Sequence, residues 1–381
     1  MKVTFYSNFF NHHQEPISLE FIKRGIDYTF VATEPIPNER LKLGYEDANK
    51  KYDFILTTYD SKENYNKALE LADISDIVII GSAPNEFVEQ RIQDNKITFR
   101  YSERIYKEGR YKLKNLKSII LGHLKNKKIK NKNAYLLCAS AYAAKDYILY
   151  GAYKNKCYKW GYFPEYMKCD LPDLLSKKEE DKIKIIWVAR FIDWKHPEYA
   201  IDLAKSLISK SYNNFEIIML GNGELLEEIK TNVKNQNLQE YVKIIGAVPS
   251  SEVRKYMQES NIHIFTSDRG EDWGAVLNES MNSACAVVAN KAIGSVPYLI
   301  ENGKNGLWYE SKEEFIDNVI KLIDDKELRK AVSIEAYNTI EKLWNPQNAV
   351  ESLLKLYENI SSGHEKNIIR NGPCSKEIYY L

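Results

Sequence analysis

Short apolar runs that alternate with amphipathic stretches constrain the fold of this chain more than any other feature. In the first half the runs are KVTFYSN, YTFVAT, FILTTY, DIVIIGSA, ITFRYS and AYLLCAS, and stretches such as ENYNKALELAD lie between them. Such runs are typical of parallel strands buried on both faces, with helices as the crossover connections. The second half repeats the pattern with IKIIWVAR, FEIIMLGNG, YVKIIGAV, NIHIFTS and CAVVAN. The sequence therefore predicts an α/β protein with two parallel-sheet domains.

The boundary between these domains is predicted from a change of composition. Residues 165–182 lose the strand pattern and become charged, so we expect a linker between an N-terminal domain, 1–164, and a C-terminal domain, 183–345. An amphipathic helix is expected at 346–362, packing back on the N-terminal domain. The polar tail, 363–381, is expected to have little order.

Composition excludes several classes of protein. The 54 Lys and Arg residues nearly balance the 53 Asp and Glu residues, so the net charge gives no reason to expect a nucleic-acid partner. The five cysteines form no CxxC pair and no zinc-site spacing, and Cys138 and Cys285 lie in apolar runs typical of a reducing compartment. There is no signal-peptide pattern and no apolar segment that could span a bilayer. We expect a cytoplasmic protein.

Candidate ligand-binding residues follow the strands of the second half, because open α/β sheets bind ligands at the carboxyl ends of their strands. Arg190 and Lys195 flank a strand-to-helix turn, and two cations there suit a phosphate or diphosphate, although exposed surface cations are the more common interpretation. Gly221 and Gly223 follow the next strand, where a tight loop allows a ligand to approach the backbone closely.

The stretch EDWGAVLNES contains two glutamates eight positions apart, Glu271 and Glu279. The Trp-Gly pair argues against one continuous helix through the stretch. We therefore expect Glu271 in a loop and Glu279 about one turn inside a buried helix that begins near Gly274. Considered alone, the pair fits a solvated helix start as well as a ligand site.

Together these residues resemble the retaining group 1 (family 4) nucleotide-sugar glycosyltransferases. The resemblance rests on the Arg and Lys five apart, on GNGE, on EDWGAVLNE and on GSVPYLIENGKNGL, in the family's order over residues 183 to 310. It implies the GT-B fold, two Rossmann-like parallel-sheet domains facing an interdomain cleft.

The resemblance also implies a role for each matched residue. Arg190 and Lys195 would hold the donor diphosphate, neutralise the charge that grows on it, and remove the need for a metal or other cofactor. Glu271 would bind donor-sugar hydroxyls and Glu279 the ribose. The remaining donor-binding residues implied are Gly221, Gly223, Trp273, Gly274 and Ala275.

The N-terminal half departs from the family pattern. After the first strand the sequence YSNFFNHHQEP has no glycine, and His12 and His13 are either acceptor contacts or ordinary loop residues. Where family members often have a histidine after the fifth strand, this chain has FRYSERIY, so Glu103 or Arg104 is the candidate there.

One segment is locally basic. Residues 104–132 are rich in lysine, with Leu113, Leu116, Ile119, Ile120 and Leu124 at helical spacing. Such a helix either lies on an anionic membrane leaflet, which would make the protein peripheral at the inner membrane face, or packs its apolar stripe on its own domain.

The function that the resemblance implies is transfer of a sugar from a nucleotide-diphosphate donor to a hydroxyl acceptor, a glycan or lipid-linked precursor, in capsule, lipopolysaccharide or similar cell-surface glycan synthesis. The alternatives are a GT-B-fold nucleotide-sugar epimerase or glycan phosphorylase, and a non-catalytic nucleotide-sugar binding module. EDWGAVLNE favours transfer.

Overall fold

The computed structural model describes residues 1–37, 47–107, 116–179, 181–363 and 369–377. The chain divides into two units, and each is described by itself. The first unit comprises Met1–Glu165 and Asn345–Leu381, and the second comprises Tyr166–Trp344.

The strands coincide with the predicted apolar runs, with two short additions, β7 and β13. They are β1 Lys2–Ser7, β2 Asp27–Ala32, β3 Ile55–Thr57, β4 Ile77–Ile80, β5 Thr98–Ser102, β6 Ala134–Cys138, β7 Cys157–Lys159, β8 Ile183–Val188, β9 Phe215–Leu220, β10 Val242–Gly246, β11 Ile262–Phe265, β12 Ala286–Asn290 and β13 Leu307–Tyr309.

The helices lie between the strands and after them. They are α1 Glu15–Lys23, α2 Lys62–Ile74, α3 Glu86–Gln93, α4 Leu116–Asn126, α5 Ala143–Leu149, α6 Leu171–Ser176, α7 Glu198–Ser209, α8 Leu226–Asn235, α9 Ser250–Glu259, α10 Val276–Asn282, α11 Val296–Leu299, α12 Lys312–Asp324, α13 Lys326–Lys342 and α14 Pro346–Ser362. Within the described ranges, no helix combines the length and the apolar character needed to cross a membrane.

Both units are built on parallel sheets. Over the described residues, the first sheet has seven strands in the order β3-β2-β1-β4-β5-β6-β7, and the second has six in the order β10-β9-β8-β11-β12-β13. All strand neighbours pair in parallel. In each sheet the strand order reverses direction beside the first strand of that sheet, which creates a crevice at the carboxyl ends of the strands.

Burial on both faces explains why the strands are continuous apolar runs. In β8, Ile185 and Trp187 pack into a cluster with Leu203 of α7, whereas Ile186 packs on the other face with Met257 of α9. Alternate residues of one strand therefore enter separate hydrophobic clusters.

The segment predicted as a linker, 165–182, is partly folded into the second unit. The Asp170 side chain caps α6 by accepting a hydrogen bond from the Asp173 N–H at 2.9 Å. Leu174 is buried against Tyr337 of α13, and the Lys178 ammonium is buried and donates to the Met257 carbonyl oxygen at 2.9 Å. The charged composition conceals the Leu174 and Lys178 contacts, because their partners are more than 75 positions away in the chain.

The C-terminal region contributes to the first unit. Helix α14 packs on α1, where the Arg24 guanidinium donates to the Gln347 carbonyl oxygen at 3.0 Å. Little order was expected after residue 363, yet residues 369–377 lie along the β7 edge. Cys374 is buried, and the Lys159 N–H donates to the Ser375 carbonyl oxygen at 2.9 Å.

Candidate active site

The two cations predicted to bind phosphate follow β8 in the second unit. Arg190 is exposed, and Lys195 ends a 3-10 turn, Asp193–Lys195, just before α7. Trp194 lies between them: the guanidinium carbon of Arg190 is 5.8 Å from the centre of its ring, and the Lys195 ammonium is 4.2 Å away. The tryptophan ring thus positions both cations through cation–π contacts.

Lys195 forms an ion pair with Glu271, which joins the turn after β8 to the loop after β11. Only 11% of the Lys195 side chain and 12% of the Glu271 side chain are exposed. Burial lowers the pKa of Lys195, and the Glu271 carboxylate opposes that effect. Ser267 also donates to the Glu271 carboxylate, at 3.3 Å. An anionic group arriving here would find a cation already desolvated and oriented.

Further contacts join the same two loops. Thr266 donates to the Lys195 carbonyl oxygen at 2.6 Å, and the Asp268 N–H donates to the Trp194 carbonyl oxygen at 3.0 Å. The His196 ring lies 2.8 Å from the Glu198 carboxylate and 3.4 Å from the Asp268 carboxylate, and the hydrogen bond to Glu198 raises the pKa of His196. These contacts stabilise the backbone that carries Lys195.

The glycine-rich turn after β9 lies directly against the backbone around Arg190. Gly221 and Gly223 both have positive φ, 137° and 159°. A Cβ at Gly221 would lie 1.9 Å from the Ala189 carbonyl oxygen, and one at Gly223 would lie 2.3 Å from the Phe191 carbonyl oxygen. Only glycine fits both positions, so this turn and the Arg190 backbone form one continuous surface.

The helix predicted to start near Gly274 is α10, which begins at Val276 after Ala275. Glu279 lies in its first turn, as expected. Burial raises the pKa of Glu279, and the Arg254 guanidinium of α9 opposes that effect. The half-buried Glu279 carboxylate in the first turn of this helix can accept hydrogen bonds from ligand hydroxyls.

The later motif GSVPYLIENGKNGL supports the loop that carries Glu271. The Gly294 N–H donates to the Glu271 carbonyl oxygen at 3.3 Å, and the Ser295 hydroxyl donates to the Trp273 carbonyl oxygen. Trp273 is buried and donates from its indole N–H to Asn278 at 2.9 Å. The Trp273 side chain is thus part of the core of the second unit.

The acceptor-side candidates lie in the first unit. The rings of His12 and His13 are 3.9 Å apart, and His13 stacks on Tyr162 at 4.8 Å. The Tyr162 hydroxyl donates to Glu103, which also accepts from Lys107 at 2.9 Å.

Arg104 is buried, and its guanidinium carbon lies 4.1 Å from the centre of the Tyr142 ring. The structure therefore brings His12, His13 and Glu103 together through Tyr162. Arg104 instead packs on Tyr142.

Some residues of the site were missed by sequence reasoning. Trp194, Ser267 and Tyr162 contact candidate residues, yet no motif of the sequence includes them. Trp194 could have been noticed in the sequence, because it lies between Arg190 and Lys195 in the stretch RFIDWK.

These features define a two-unit α/β protein with a polar site at the carboxyl ends of the second sheet, and solved structures share its fold. Anabaena Alr3699/HepE, crystallised with UDP, superposes with a TM-score of 0.69 over 95% of this chain and 100% of that chain, at 14% identity. The predicted GT-B fold class is confirmed.

Residues 175–339 match the family model "Glycosyl transferases group 1". This match confirms the part of the sequence resemblance that concerns group 1 glycosyltransferases.

Curated relatives match the same part of the chain. An uncharacterised glycosyltransferase, MJ1069, of Methanocaldococcus jannaschii is 30% identical over 192 residues, which are 49% of this chain and 47% of that protein. The amylovoran biosynthesis glycosyltransferase AmsK of Erwinia amylovora is 28% identical over 153 residues, 39% of this chain and 36% of that protein. The matched part thus spans less than half the length of each of these two relatives.

Proposed function

We propose that this protein is a retaining glycosyltransferase that moves a sugar from a nucleoside-diphosphate donor to a hydroxyl group of a glycan or lipid-linked acceptor. The observation that carries the proposal is the largely buried Lys195–Glu271 ion pair beside Arg190 and the glycine-rich turn. This arrangement offers cations, backbone N–H groups and carboxylates at one edge of one sheet, which suits a ligand with a diphosphate at its centre and hydroxyl groups at both ends.

In this proposal Arg190 and Lys195 bind the diphosphate. When the bond between the anomeric carbon and the diphosphate oxygen breaks, negative charge grows on that oxygen and both cations stabilise it. Lys195 is nearly buried, so its attraction for the leaving group is screened little by water. We expect no cofactor and no divalent metal to be required for this step.

In this proposal the two glutamates bind different parts of the donor. Glu279, in the first turn of α10, accepts hydrogen bonds from the ribose hydroxyls. Glu271 accepts hydrogen bonds from hydroxyls of the transferred sugar and at the same time orients Lys195. Because a residue that neutralises Lys195 is a poor nucleophile, we do not assign Glu271 the role of the carboxylate nucleophile of retaining glycosidases.

The acceptor contacts the first unit near Tyr162. The acceptor region combines the stacked rings of His13 and Tyr162, the neighbouring His12 ring and the Glu103 carboxylate. Such a group suits the apolar face and the hydroxyl groups of a sugar. Glu103, already held by Lys107 and Tyr162, is preorganised to accept a hydrogen bond from the acceptor hydroxyl.

The biological setting is proposed from the relatives. AmsK is named for amylovoran biosynthesis and HepE was crystallised with UDP, which support a nucleotide-sugar donor and a role in cell-surface glycan synthesis. We place the protein in the cytoplasm, where such donors are available.

The test is a screen of nucleoside diphosphates and nucleotide sugars without added metal. A matching diphosphate at roughly a hundred times its dissociation constant should stabilise the fold by about 2.7 kcal/mol. Its sugar nucleotide should be hydrolysed slowly and transferred when an acceptor is present. Binding that disappears on adding a chelator would contradict the metal-free account. Sugar isomerisation or phosphorolysis would instead indicate an epimerase or a phosphorylase, and binding without turnover would indicate a non-catalytic module.

A further inference from the structure

The basic helix α4 presents an apolar face to solvent. The exposed fractions are 50% for Ile120, 55% for Leu121 and 63% for Leu124, and the three residues are neighbours at positions i, i+1 and i+4. Single exposed apolar side chains are ordinary on protein surfaces. Three adjacent ones on one helix form a patch, and such patches mark interaction sites. We call these three residues the α4 face.

The opposite side of α4 determines this orientation. Gly122 packs so closely on α5's C-cap residue Tyr150 that a Cβ at Gly122 would lie 1.9 Å from the Tyr150 ring. Asn126, one turn further on, donates to the Tyr150 carbonyl oxygen at 3.3 Å. Because Gly122 and Asn126 hold one side of the helix against its own unit, Ile120 and Leu124 point away from that unit.

Positive charge surrounds the α4 face. Residues 116–132 contain six lysines and neither aspartate nor glutamate. Lys117 precedes the face by one turn, and Lys127, Lys128 and Lys130 follow it, all four of them exposed. Lys128 lies 3.3 Å from Glu89, but both side chains are mostly exposed, so that ion pair cancels little of the field. Leu113 lies outside the described residues, as do the side chains of Leu116 and Lys125.

We propose that the α4 face docks on an anionic phospholipid surface, with Ile120, Leu121 and Leu124 between the headgroups and the lysines against their phosphates. An apolar stripe flanked by lysines is complementary to an anionic leaflet in both hydrophobicity and charge. A second copy of the chain fits less well, because pairing two α4 faces would bring eight exposed lysines together without any acid from this segment.

This inference does not rest on the proposed transfer reaction, because no residue of the α4 face belongs to the candidate active site. Membrane docking would nevertheless affect where the transfer reaction takes place. A docked α4 face would place the first unit at the membrane surface, where a lipid-linked acceptor resides. Donor hydrolysis in solution needs no membrane, so it should be the same for the wild type and for the variants described below.

The experiment is co-sedimentation of the full chain with vesicles of phosphatidylcholine alone or with phosphatidylglycerol added. We expect the wild type to bind the anionic vesicles and to release at high salt. Replacing Lys117, Lys127, Lys128 and Lys130 by Gln should weaken binding by about fivefold for each lysine. Replacing Ile120, Leu121 and Leu124 by Ser should weaken it by on the order of tenfold or more.

Matched controls separate the α4 face from general charge and apolar content. One control replaces Lys62, Lys67, Lys205 and Lys234 by Gln, which changes the net charge equally at other exposed positions. The other replaces Ile22, Ile74 and Ile245, which are 43%, 52% and 44% exposed, by Ser.

Both controls should bind like the wild type. The proposal is overturned if the wild type binds neither kind of vesicle, if the α4 variants bind as well as the controls, or if the serine variant abolishes a dimer that the wild type forms.

Discussion

Lys195 and Glu271 form an ion pair that closes the candidate site of the second unit, although 76 positions separate them in the chain. With 11% and 12% of the two side chains exposed, each charge depends on the other for compensation. Such a pair contributes little net stability when intact, but removing one partner leaves a charge that is buried and uncompensated. The pair therefore links the stability of the second unit to the groups proposed to bind the donor.

Removing the Lys195 charge from this pair should cost both stability and affinity for nucleoside diphosphate. We expect Lys195→Met to lower the free energy of unfolding by about 3 kcal/mol, because Glu271 stays buried without its cation. The double variant Lys195→Met/Glu271→Gln should recover most of that loss, yet it should still bind nucleoside diphosphate weakly. Chemical denaturation and calorimetry measure the two quantities. If the double variant recovers affinity as well as stability, Lys195 does not contact the diphosphate.

Variants of Glu279 and of Glu271 should lose different properties, the first nucleotide affinity and the second turnover. Glu279→Gln should weaken binding of the free nucleoside diphosphate and of the sugar nucleotide alike, because both contain the ribose. Glu271→Gln should leave nucleotide affinity nearly unchanged and slow turnover by about a hundredfold or more, equivalent to about 3 kcal/mol. Calorimetry and a product assay are both needed. Equal losses of nucleotide affinity would refute the proposed division.

Acid should destabilise the second unit through His263 in β11. Its side chain is fully buried, neither ring nitrogen has a hydrogen-bond partner within the described chain, and burial lowers its pKa to about 3. Because the unfolded chain binds the proton near pH 6.5 and the folded chain does not, stability falls as pH decreases from about 6.5 towards 3. Between pH 7 and pH 5 the loss should reach about 2 kcal/mol.

The variant His263→Leu should remove this pH dependence, and denaturation curves at several pH values measure it. Replacing the exposed His12 by Gln is the matched control and should retain the wild-type slope. Identical slopes in His263→Leu and the wild type would show that other groups govern the acid response.

The C-terminal segment should stabilise the first unit by covering the edge of its sheet. Main-chain hydrogen bonds connect Cys374 and Ser375 to Lys159, and Glu377 to Cys157, at 2.7 to 3.1 Å. A chain ending at Gly363 loses these bonds and the buried Cys374, so it should unfold at lower temperature, with a loss of about 3 kcal/mol, and should aggregate more readily through the exposed β7 edge. A chain ending at Glu377 is the control and should behave like the full chain.

Much of the fold could be predicted because parallel strands buried on both faces leave a local signature. Each predicted apolar run corresponds to a strand, from β1 to β6 and from β8 to β12. The two strands that were missed, β7 and β13, are three residues long and lie at the edges of their sheets, where burial is incomplete and the pattern is short. The charge of residues 165–182 suggested a linker, because the partners of Lys178 and Leu174 are distant in sequence.

The sequence by itself determined which residue types follow which strands. The order of Arg190, Lys195, the glycine-rich turn, Glu271 and Glu279 is legible in the chain, and so is the start of α10. Only the tertiary structure decided which of these residues touch. It paired Lys195 with Glu271, placed Trp194 beneath both cations, and joined His13 to Glu103 through Tyr162. The physical reason is that parallel pairing brings the ends of distant strands to one edge of a sheet, and strand order is set by pairing across the whole sheet rather than by any local pattern.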